Sequence, residues 1–237
     1  MPSDRIERNH NCNIDLVACI DATSGMAGQL DALGTYLLSL RERVERRMTE
    51  CSCTIGLWQL RVRVIAFRDY GVDEAPMLAS RFFVLNGANG PQPAEREALR
   101  AFLDTIGVQG GGDEPENALE ALALAMQSDW TRAGAEGCRR HVIILCTDAP
   151  ALPLRSRADA AGYPAGMPAD LDELREWWEG EHARMERRAK RLVIYAPDAW
   201  PWTETDQWSN VYRIATAPGY PADFEDDIFT QLIVPAD

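Results

Sequence analysis

The stretch NIDLVACIDATSGM, residues 13–26, decides the fold class that the sequence predicts. Its first nine residues contain a short apolar run that ends on the carboxylate of Asp21, a pattern typical of a buried strand. From Met26 onwards, leucines recur at helical spacing with arginines between them, which predicts an amphipathic helix over 26–50. A buried strand that leads directly into a helix indicates an α/β protein.

The same alternation continues along the chain. Further strands are predicted at 58–67, 81–85, 141–146, 192–196 and 211–215, and further helices at 93–106, 114–127, 171–191 and 222–234. We therefore predict a doubly wound, mostly parallel six-stranded sheet with helices on both faces, that is, a Rossmann-like α/β fold. A single domain over residues 1–237 is expected, with its core at about 13–234 and a surface loop at about 149–170.

Composition limits the class of protein. The chain has 24 Lys and Arg against 37 Asp and Glu, a net charge of −13, and 46% hydrophobic residues. A filled core is therefore expected, while nucleic acids and anionic membranes would be repelled. Residues 1–13 lack an apolar segment, and no run approaches the ~20 apolar residues of a membrane span. We expect a cytoplasmic protein that binds neither nucleic acid nor membrane.

The cysteines and tryptophans receive structural interpretations. Cys19 and Cys146 lie inside apolar strands, where a thiol packs as a small hydrophobe. Cys51 and Cys53 with Cys12 lack the Cys-x-x-Cys spacing of a zinc knuckle, so no zinc site is expected. Five tryptophans are expected in the core, with an exposed partner-binding patch as the alternative. They are Trp177, Trp178, Trp200, Trp202 and Trp208.

Polar residues follow three of the predicted strands, at the ends where α/β sheets bind ligands. The first strand is followed by ATSG (22–25), the second by RDY (68–70) and the central one by TDAP (147–150). The loop GGGDEPE (110–116) precedes a predicted helix and can reach the same edge. Because parallel strands end at one edge of a sheet, we expect these segments to lie together.

Three carboxylates, those of Asp21, Asp113 and Asp148, are then expected at one point. Two carboxylates ~4 Å apart repel each other by roughly 4 kcal/mol at an effective dielectric constant of about 20. Such a cluster needs a bound proton or a cation. Carboxylate and hydroxyl oxygens, without Cys or His, are hard ligands that select magnesium, manganese or calcium. The sequence therefore predicts a divalent-cation site.

This pattern resembles the metal-ion-dependent adhesion site of von Willebrand factor A domains, in particular the bacterial branch that includes alpha-kinase-linked proteins. The resemblance covers residues 13–234 and rests on Asp21 with Thr23, on Asp113 and on Asp148. It implies the von Willebrand factor A fold, with these four residues as metal ligands. Thr23 and Asp113 also suit helix N-cap positions, which require no metal.

One position departs from the family pattern. The family has a hydroxyl side chain where this chain has Gly25. Either Ser24 or a water replaces it, or Gly25 supplies a backbone conformation with positive φ. Asp69 is a further candidate, as a ligand, as a hydrogen-bond partner of a ligand, or as half of a structural ion pair with Arg68.

No enzyme signature is present in the sequence. The loop 110–116 lacks the Lys-Ser/Thr of a phosphate-binding P-loop, and no Ser/His/Asp set is recognisable. The resemblance implies a non-enzymatic protein-binding module of a bacterial signalling or assembly system, whose metal captures a partner carboxylate. The implied partners are an AAA+ ATPase, a kinase or another signalling protein. The alternatives are a metal-free interaction scaffold and a metal-dependent phosphohydrolase.

Overall fold

The computed structural model describes residues 10–50, 55–108, 110, 115–132, 138–180 and 183–216. The strands are β1 (His10–Asp21), β2 (Ile55–Phe67), β3 (Met77–Ala79), β4 (Phe83–Gly87), β5 (Gly90–Pro91), β6 (Cys138–Cys146), β7 (Lys190–Ala196) and β8 (Val211–Ala215). The helices are α1 (Ala27–Glu50), α2 (Pro93–Asp104), α3 (Ala118–Met126), α4 (Leu171–Glu179) and α5 (Trp202–Thr205). A 3-10 turn, Ser24–Met26, leads into α1.

The strands form one mixed sheet of eight strands. Their order is β5-β4-β2-β1-β6-β7-β8, and β3 pairs with β2 outside this path. The neighbours from β2 through β1, β6 and β7 to β8 are parallel. The pairs β2–β3, β2–β4 and β4–β5 are antiparallel.

The predicted doubly wound, mostly parallel, six-stranded Rossmann-like sheet is therefore wrong. The described part has two additional strands, and three of its seven strand pairs are antiparallel. The additional strands β3 and β5 have only three and two residues, too few to show an alternating pattern in the sequence. Short turns, such as the one before Gly90 with its φ of +85°, return the chain at this edge without a helical crossover, which makes the pairs antiparallel.

Two apolar clusters cover the parallel part of the sheet. Leu16 of β1 packs with Leu37 of α1 in one cluster, which α2 completes. Val17 of β1 packs with Leu122 of α3 and Trp178 of α4 in the other. Because successive strand residues point to opposite faces, the two clusters lie on the two faces of the sheet. Full burial of each such side chain contributes roughly 1.5–3 kcal/mol.

Helix α3 begins later than the sequence pattern predicts. Its first residue is Ala118 and its N-cap is Asn117. Glu116 instead lies in an extended segment that bridges to Ala151, with Glu116 N donating to the Pro150 carbonyl at 3.1 Å. The interpretation of Asp113 as the N-cap of this helix is therefore wrong, because the segment before Asn117 pairs with the chain after β6.

Helix α4 ends at Glu179, although the prediction extended it to residue 191. Gly180 follows it in an extended conformation, and a Cβ there would lie 2.5 Å from the carbonyl oxygen of Glu176. The close approach of this backbone suits glycine and ends the helix. The helix predicted at 222–234 lies outside the described residues.

The loop at 149–170 is made mostly of turns, but it is anchored in the core. Ala151, Leu154 and Met167 are buried in the cluster formed with α3 and α4. Of the predicted tryptophan group, Trp202 is completely buried, whereas Trp200 is 44% exposed. Trp178 and Trp208 are also buried, so most of these indoles serve packing.

Helix length and composition bear on membrane insertion. The longest described helix, α1, has 24 residues and carries several arginines and glutamates. None of the helices in the described ranges is both long enough and apolar enough to cross a membrane.

Candidate functional site

The carboxyl ends of three neighbouring parallel strands bring the candidate residues together. Strand β1 lies between β2 and β6, in register up to Asp21 beside Phe67 and Ile20 beside Cys146. The residues that follow β1 and β6 therefore share one edge of the sheet. We call Asp21, Thr23, Thr147 and Asp148 the carboxylate edge.

Asp21 is completely buried and held on both carboxylate oxygens. Its Oδ1 accepts a hydrogen bond from the backbone N–H of Thr23 at 2.9 Å, and its Oδ2 accepts one from the hydroxyl of Thr147 at 2.9 Å. Burial raises the pKa of Asp21, and the charge of Asp148 raises it further, against the hydrogen bonds from Thr23 and Thr147. The site thus holds a desolvated carboxylate beside a second one.

Thr23 belongs to this arrangement and does not cap the following turn through its side chain. It occupies the N-cap position of the 3-10 turn, but its side chain makes no capping hydrogen bond. Its side chain instead hydrogen-bonds to Asp21 and lowers the pKa of that carboxyl. The side-chain N-cap interpretation of Thr23 is therefore wrong.

Gly25 lies directly against Asp148. A Cβ at position 25 would be 2.9 Å from Oδ2 of Asp148. Gly25 is not among the described glycines with positive φ, so the explanation by backbone conformation is wrong. The space that a side chain at position 25 would occupy is taken by the half-buried Asp148 carboxylate.

Ser24 ties the first loop to the glycine-rich loop. Its exposed hydroxyl donates to the carbonyl of Gly110 at 2.7 Å, and its backbone N–H approaches the same oxygen at 3.4 Å. Gly110 has a φ of +77°, and a Cβ there would lie 2.0 Å from Oδ1 of Asp73, so this position requires glycine. The predicted ligand Asp113 lies outside the described residues.

Arg68 organises the loops behind the carboxylate edge. Its buried guanidinium donates from Nε to the carbonyl of Ala22 at 3.1 Å. It also donates from Nη1 to Ala75 at 2.7 Å and from Nη2 to Gly107. One side chain thereby joins three chain segments by their carbonyl groups, which is a structural role.

Asp69 takes its ion-pair partner from the long loop. Its Oδ2 lies 3.5 Å from Nη2 of Arg157, and its backbone carbonyl accepts the N–H of Asp73 at 3.1 Å. Only 4% of Asp69 is exposed. These contacts support a structural role for Asp69, with Arg157 in the place that the sequence suggested for Arg68.

The sequence pattern did not single out Thr147, which hydrogen-bonds to Asp21, or a buried hydrogen-bond network on α3. Glu120 accepts hydrogen bonds from the hydroxyl of Tyr163 at 2.7 Å and from the amide of Asn117 at 3.1 Å. Asn117 in turn accepts the backbone N–H of Tyr70 at 2.8 Å. Burial raises the pKa of Glu120. The signal for this network in the sequence was Glu120, an acidic residue within the otherwise apolar helix α3.

A second polar feature lies away from the carboxylate edge. Arg61, Asp15, His141 and Lys190 are register neighbours across β2, β1, β6 and β7. Asp15 and Arg61 form an ion pair at 2.7 Å, and Lys190 donates to the carbonyl of Trp178. This row of ionisable residues, three of them buried and Arg61 half-buried, is visible only once the strand order is known.

The described residues supply two carboxylates and one hydroxyl to the cation site that the resemblance implies. Within the ranges that the structure describes, no group of three or more His, Cys, Asp or Glu side chains is placed to hold a metal ion. Asp21, Thr23 and Asp148 provide oxygen donors only, and a cation would offset the buried charge of Asp21. This donor set fits a hard divalent cation that also takes water or further ligands.

Comparisons with known proteins do not assign a family. No family model matches the chain, and no curated protein matches it. The resemblance to von Willebrand factor A domains stays a prediction from the motifs.

The solved proteins that are similar in structure to the chain include a pilus adhesin and a mussel thread protein. One is the pilus adhesin SpaC from Lactobacillus rhamnosus GG, with a TM-score of 0.48 and 10% identity over 89% of this chain and 30% of that chain. The open conformation of SpaC has a TM-score of 0.40 and 17% identity, over 60% of this chain and 16% of that chain. The other is proximal thread matrix protein 1 of the mussel byssus, with a TM-score of 0.43 and 13% identity over 88% of this chain and 45% of that chain. The chain spans less than half the length of each.

Proposed function

We propose that this protein is a non-enzymatic protein-binding module whose carboxylate edge binds a divalent cation and, through it, a carboxylate of a partner protein. The observation that carries the proposal is the state of Asp21. This side chain is completely buried, held on both oxygens and placed close enough to Asp148 for the second charge to raise its pKa. A bound cation offsets both charges at once.

The arrangement around Asp21 favours a ligand over a simple structural acceptor. Accepting the N–H and the hydroxyl of Thr23 and the hydroxyl of Thr147 uses three of the roughly four lone-pair positions of the carboxylate, which leaves one available to a cation. A full charge at this depth is costly unless it is compensated. A bound cation would compensate the charges of both Asp21 and Asp148, and Asp21 could then stay ionised.

Asp21, Thr23 and Asp148 would hold the cation, with Asp113 added by the family resemblance. When bound, the cation supplies positive charge and an open coordination position for an anionic group. Asp148 is half-buried and Ser24 is exposed, so the edge is accessible to a partner from the Ser24 side. The partners that the resemblance suggests are an AAA+ ATPase, a kinase or another signalling protein.

The hydrogen bonds of the hydroxyl groups support binding over catalysis. Thr147 donates its proton to Asp21, and Ser24 donates its proton to the Gly110 carbonyl. The exposed hydroxyl of Ser24 faces a backbone carbonyl, which cannot activate it as a nucleophile, and the hydroxyl of Thr147, which faces the Asp21 carboxylate, is buried away from a substrate. Phosphoester hydrolysis that requires both magnesium and Asp21 would contradict the non-enzyme proposal.

A metal-free interaction scaffold is the second candidate. It is favoured by the hydrogen bonds that already satisfy one lone pair on each oxygen of Asp21. In that case Asp21 serves only to hold the loops after β1 and β6 together. Cation titration separates the two candidates.

The first experiment is calorimetric titration with magnesium, manganese and calcium. The wild-type protein should bind at least one of these cations, and Asp148→Asn should bind it at least about tenfold more weakly, a loss of ~1.4 kcal/mol. Asp129→Asn is the matched control, because Asp129 is exposed and its carbonyl accepts at 2.9 Å from Arg61, which pairs with Asp15 and not with the end of β1 at Asp21. Absence of binding to wild type at millimolar cation would leave the metal-free scaffold.

The second experiment tests partner capture. Pull-downs from the native host with wild type, Asp148→Asn and Asp129→Asn should recover a partner with wild type and the control only, and EDTA should release it. Identical recovery with all three proteins would mean that binding uses another surface.

A further inference from the structure

Two cysteines face each other at the end of the sheet opposite the carboxylate edge. Cys12 of β1 and Cys138 of β6 are direct register partners on neighbouring parallel strands. Both belong to the apolar cluster that α1 covers, so their side chains lie on the same face. Both are free thiols.

The spacing of this pair suits a disulfide. Directly paired residues of neighbouring strands lie ~4.8 Å apart, and disulfides span Cα separations of roughly 4.4–6.8 Å. The two side chains already hydrogen-bond to each other. Cys19 and Cys146 offer no comparable pair, because they belong to clusters on opposite faces and both are buried.

The environment makes the two sulfurs chemically different. The hydrogen bond from Cys12, followed by the charges of Arg140 and Arg139, lowers the pKa of Cys138 to about 6 although burial opposes this. Cys12 is 4% exposed, and its hydrogen bond to Cys138 together with burial raises its pKa. Cys138 is half-buried, so solutes can reach it. Such a sulfur is the reactive partner, because the thiolate is the nucleophile.

We propose that Cys12 and Cys138 form a reversible disulfide that cross-links β1 to β6 when the protein meets a small disulfide of the glutathione class. The Cys138 thiolate attacks one sulfur of the small disulfide, whose S–S bond breaks and releases one small thiolate. Cys12 then loses its proton and attacks Cys138 Sγ, which releases the second small thiolate. The protein dithiol is oxidised and the small disulfide is reduced to two thiols. One released thiolate takes the proton of Cys12, and the other takes from solvent the proton that Cys138 had lost.

The cross-link should stabilise the folded protein. It closes the chain between residues 12 and 138, including α1 and β2, into one covalent loop. A loop of this length is expected to raise Tm by roughly 10 °C, and reduction should reverse the change.

The test is peptide mapping by mass spectrometry without reduction. The full chain is incubated with glutathione disulfide at pH 7, and remaining thiols are alkylated. The expected product is a cross-linked Cys12–Cys138 peptide whose appearance accompanies the rise in Tm. Wild-type protein alone gives this result, so it does not depend on any variant folding. Wild type in which both cysteines remain fully alkylated would overturn the proposal.

Variants separate the two roles. Cys12→Ser should stop at a glutathione adduct on Cys138, and Cys138→Ser should leave Cys12 unmodified. The double variant Cys51→Ser/Cys53→Ser is the control, because it removes two other cysteines and keeps the proposed pair, and it should still form the cross-link. A cross-link lost in this control would overturn the assignment of the pair.

A pH profile tests the cause of the reactivity. The alkylation rate of Cys138 in wild type should have its midpoint below the ordinary thiol value near 9, and in Cys12→Ala, which has no side-chain donor, the midpoint should move towards that value. An unchanged midpoint near 9 in both proteins would contradict the role of Cys12 as hydrogen-bond donor.

Discussion

Gly25→Ala is the substitution that tests the carboxylate edge most directly. The new Cβ would lie 2.9 Å from Oδ2 of Asp148, whereas ordinary contact begins near 3.4 Å, so the carboxylate must move by about 0.5 Å (3.4 − 2.9). Hydrogen bonds to charged groups are worth roughly 1.5–3 kcal/mol, and a displaced ligand should lose about half of that, or about 0.75–1.5 kcal/mol. We expect magnesium or manganese to bind roughly fourfold to twelvefold more weakly, since tenfold corresponds to ~1.4 kcal/mol.

The same substitution should leave the cation-free protein intact. Gly25 is not in the left-handed region, and its closest neighbour is the flexible end of a side chain. Replacing glycine by alanine restricts the unfolded chain and contributes about 0.4–1 kcal/mol, which offsets the cost of moving Asp148. The free energy of unfolding should therefore change by less than about 1 kcal/mol.

Gly28→Ala is the matched control. Gly28 lies in the first turn of α1, and a Cβ there would meet nothing within 4 Å. This variant should gain about 0.5–1 kcal/mol of stability with unchanged cation affinity. Urea unfolding and calorimetric titration measure both quantities. Equal cation affinity of Gly25→Ala and Gly28→Ala would refute Asp148 as a ligand, and a loss of more than about 2 kcal/mol in Gly25→Ala would refute the steric account.

Two further predictions concern buried polar groups. Burial lowers the pKa of His141, although the charge of Asp15 opposes this, so the unfolded chain binds more protons than the folded one. The free energy of unfolding should therefore fall as pH drops below 6.5, the ordinary pKa of histidine, by at most about 1.4 kcal/mol per pH unit. Urea midpoints between pH 7.5 and 5 should show this slope in wild type and a shallower one in His141→Asn; equal slopes would contradict it. Arg68→Lys should lower the free energy of unfolding by about 2–3 kcal/mol, because one ammonium group cannot reach all three carbonyls that the guanidinium contacts, those of Ala22, Ala75 and Gly107. An unchanged urea midpoint would show that these hydrogen bonds contribute little to stability.

The polar residues at the carboxyl ends of the central strands could be predicted from the local sequence pattern. Strands β1, β2 and β6 end at Asp21, Phe67 and Cys146, the same residues at which the apolar runs end in the sequence. An apolar run ends where burial on both faces ends, so this boundary is a local property. The neighbourhood of Asp21 and Asp148 followed from it.

The antiparallel edge could not be placed in this way. Strand β3 pairs with β2 through Ala79 and Ile65, and β5 consists of Gly90 and Pro91 alone. Segments of two or three residues carry no periodicity, and their pairing depends on the edge that β2 exposes. The same limit applies to the end of α4, where the backbone contact of Gly180 stops a pattern that continues as helical in the sequence.

By itself, the sequence determined the positions of the long strands and the residues at their carboxyl ends, because apolar runs and helical spacing are properties of consecutive residues. Only the tertiary structure decided that Arg157 pairs with Asp69, that Gly25 borders Asp148 and that Cys12 faces Cys138. These pairings join residues far apart in the chain. They depend on strand order and register, which are set by the packing of the whole sheet against its two apolar clusters.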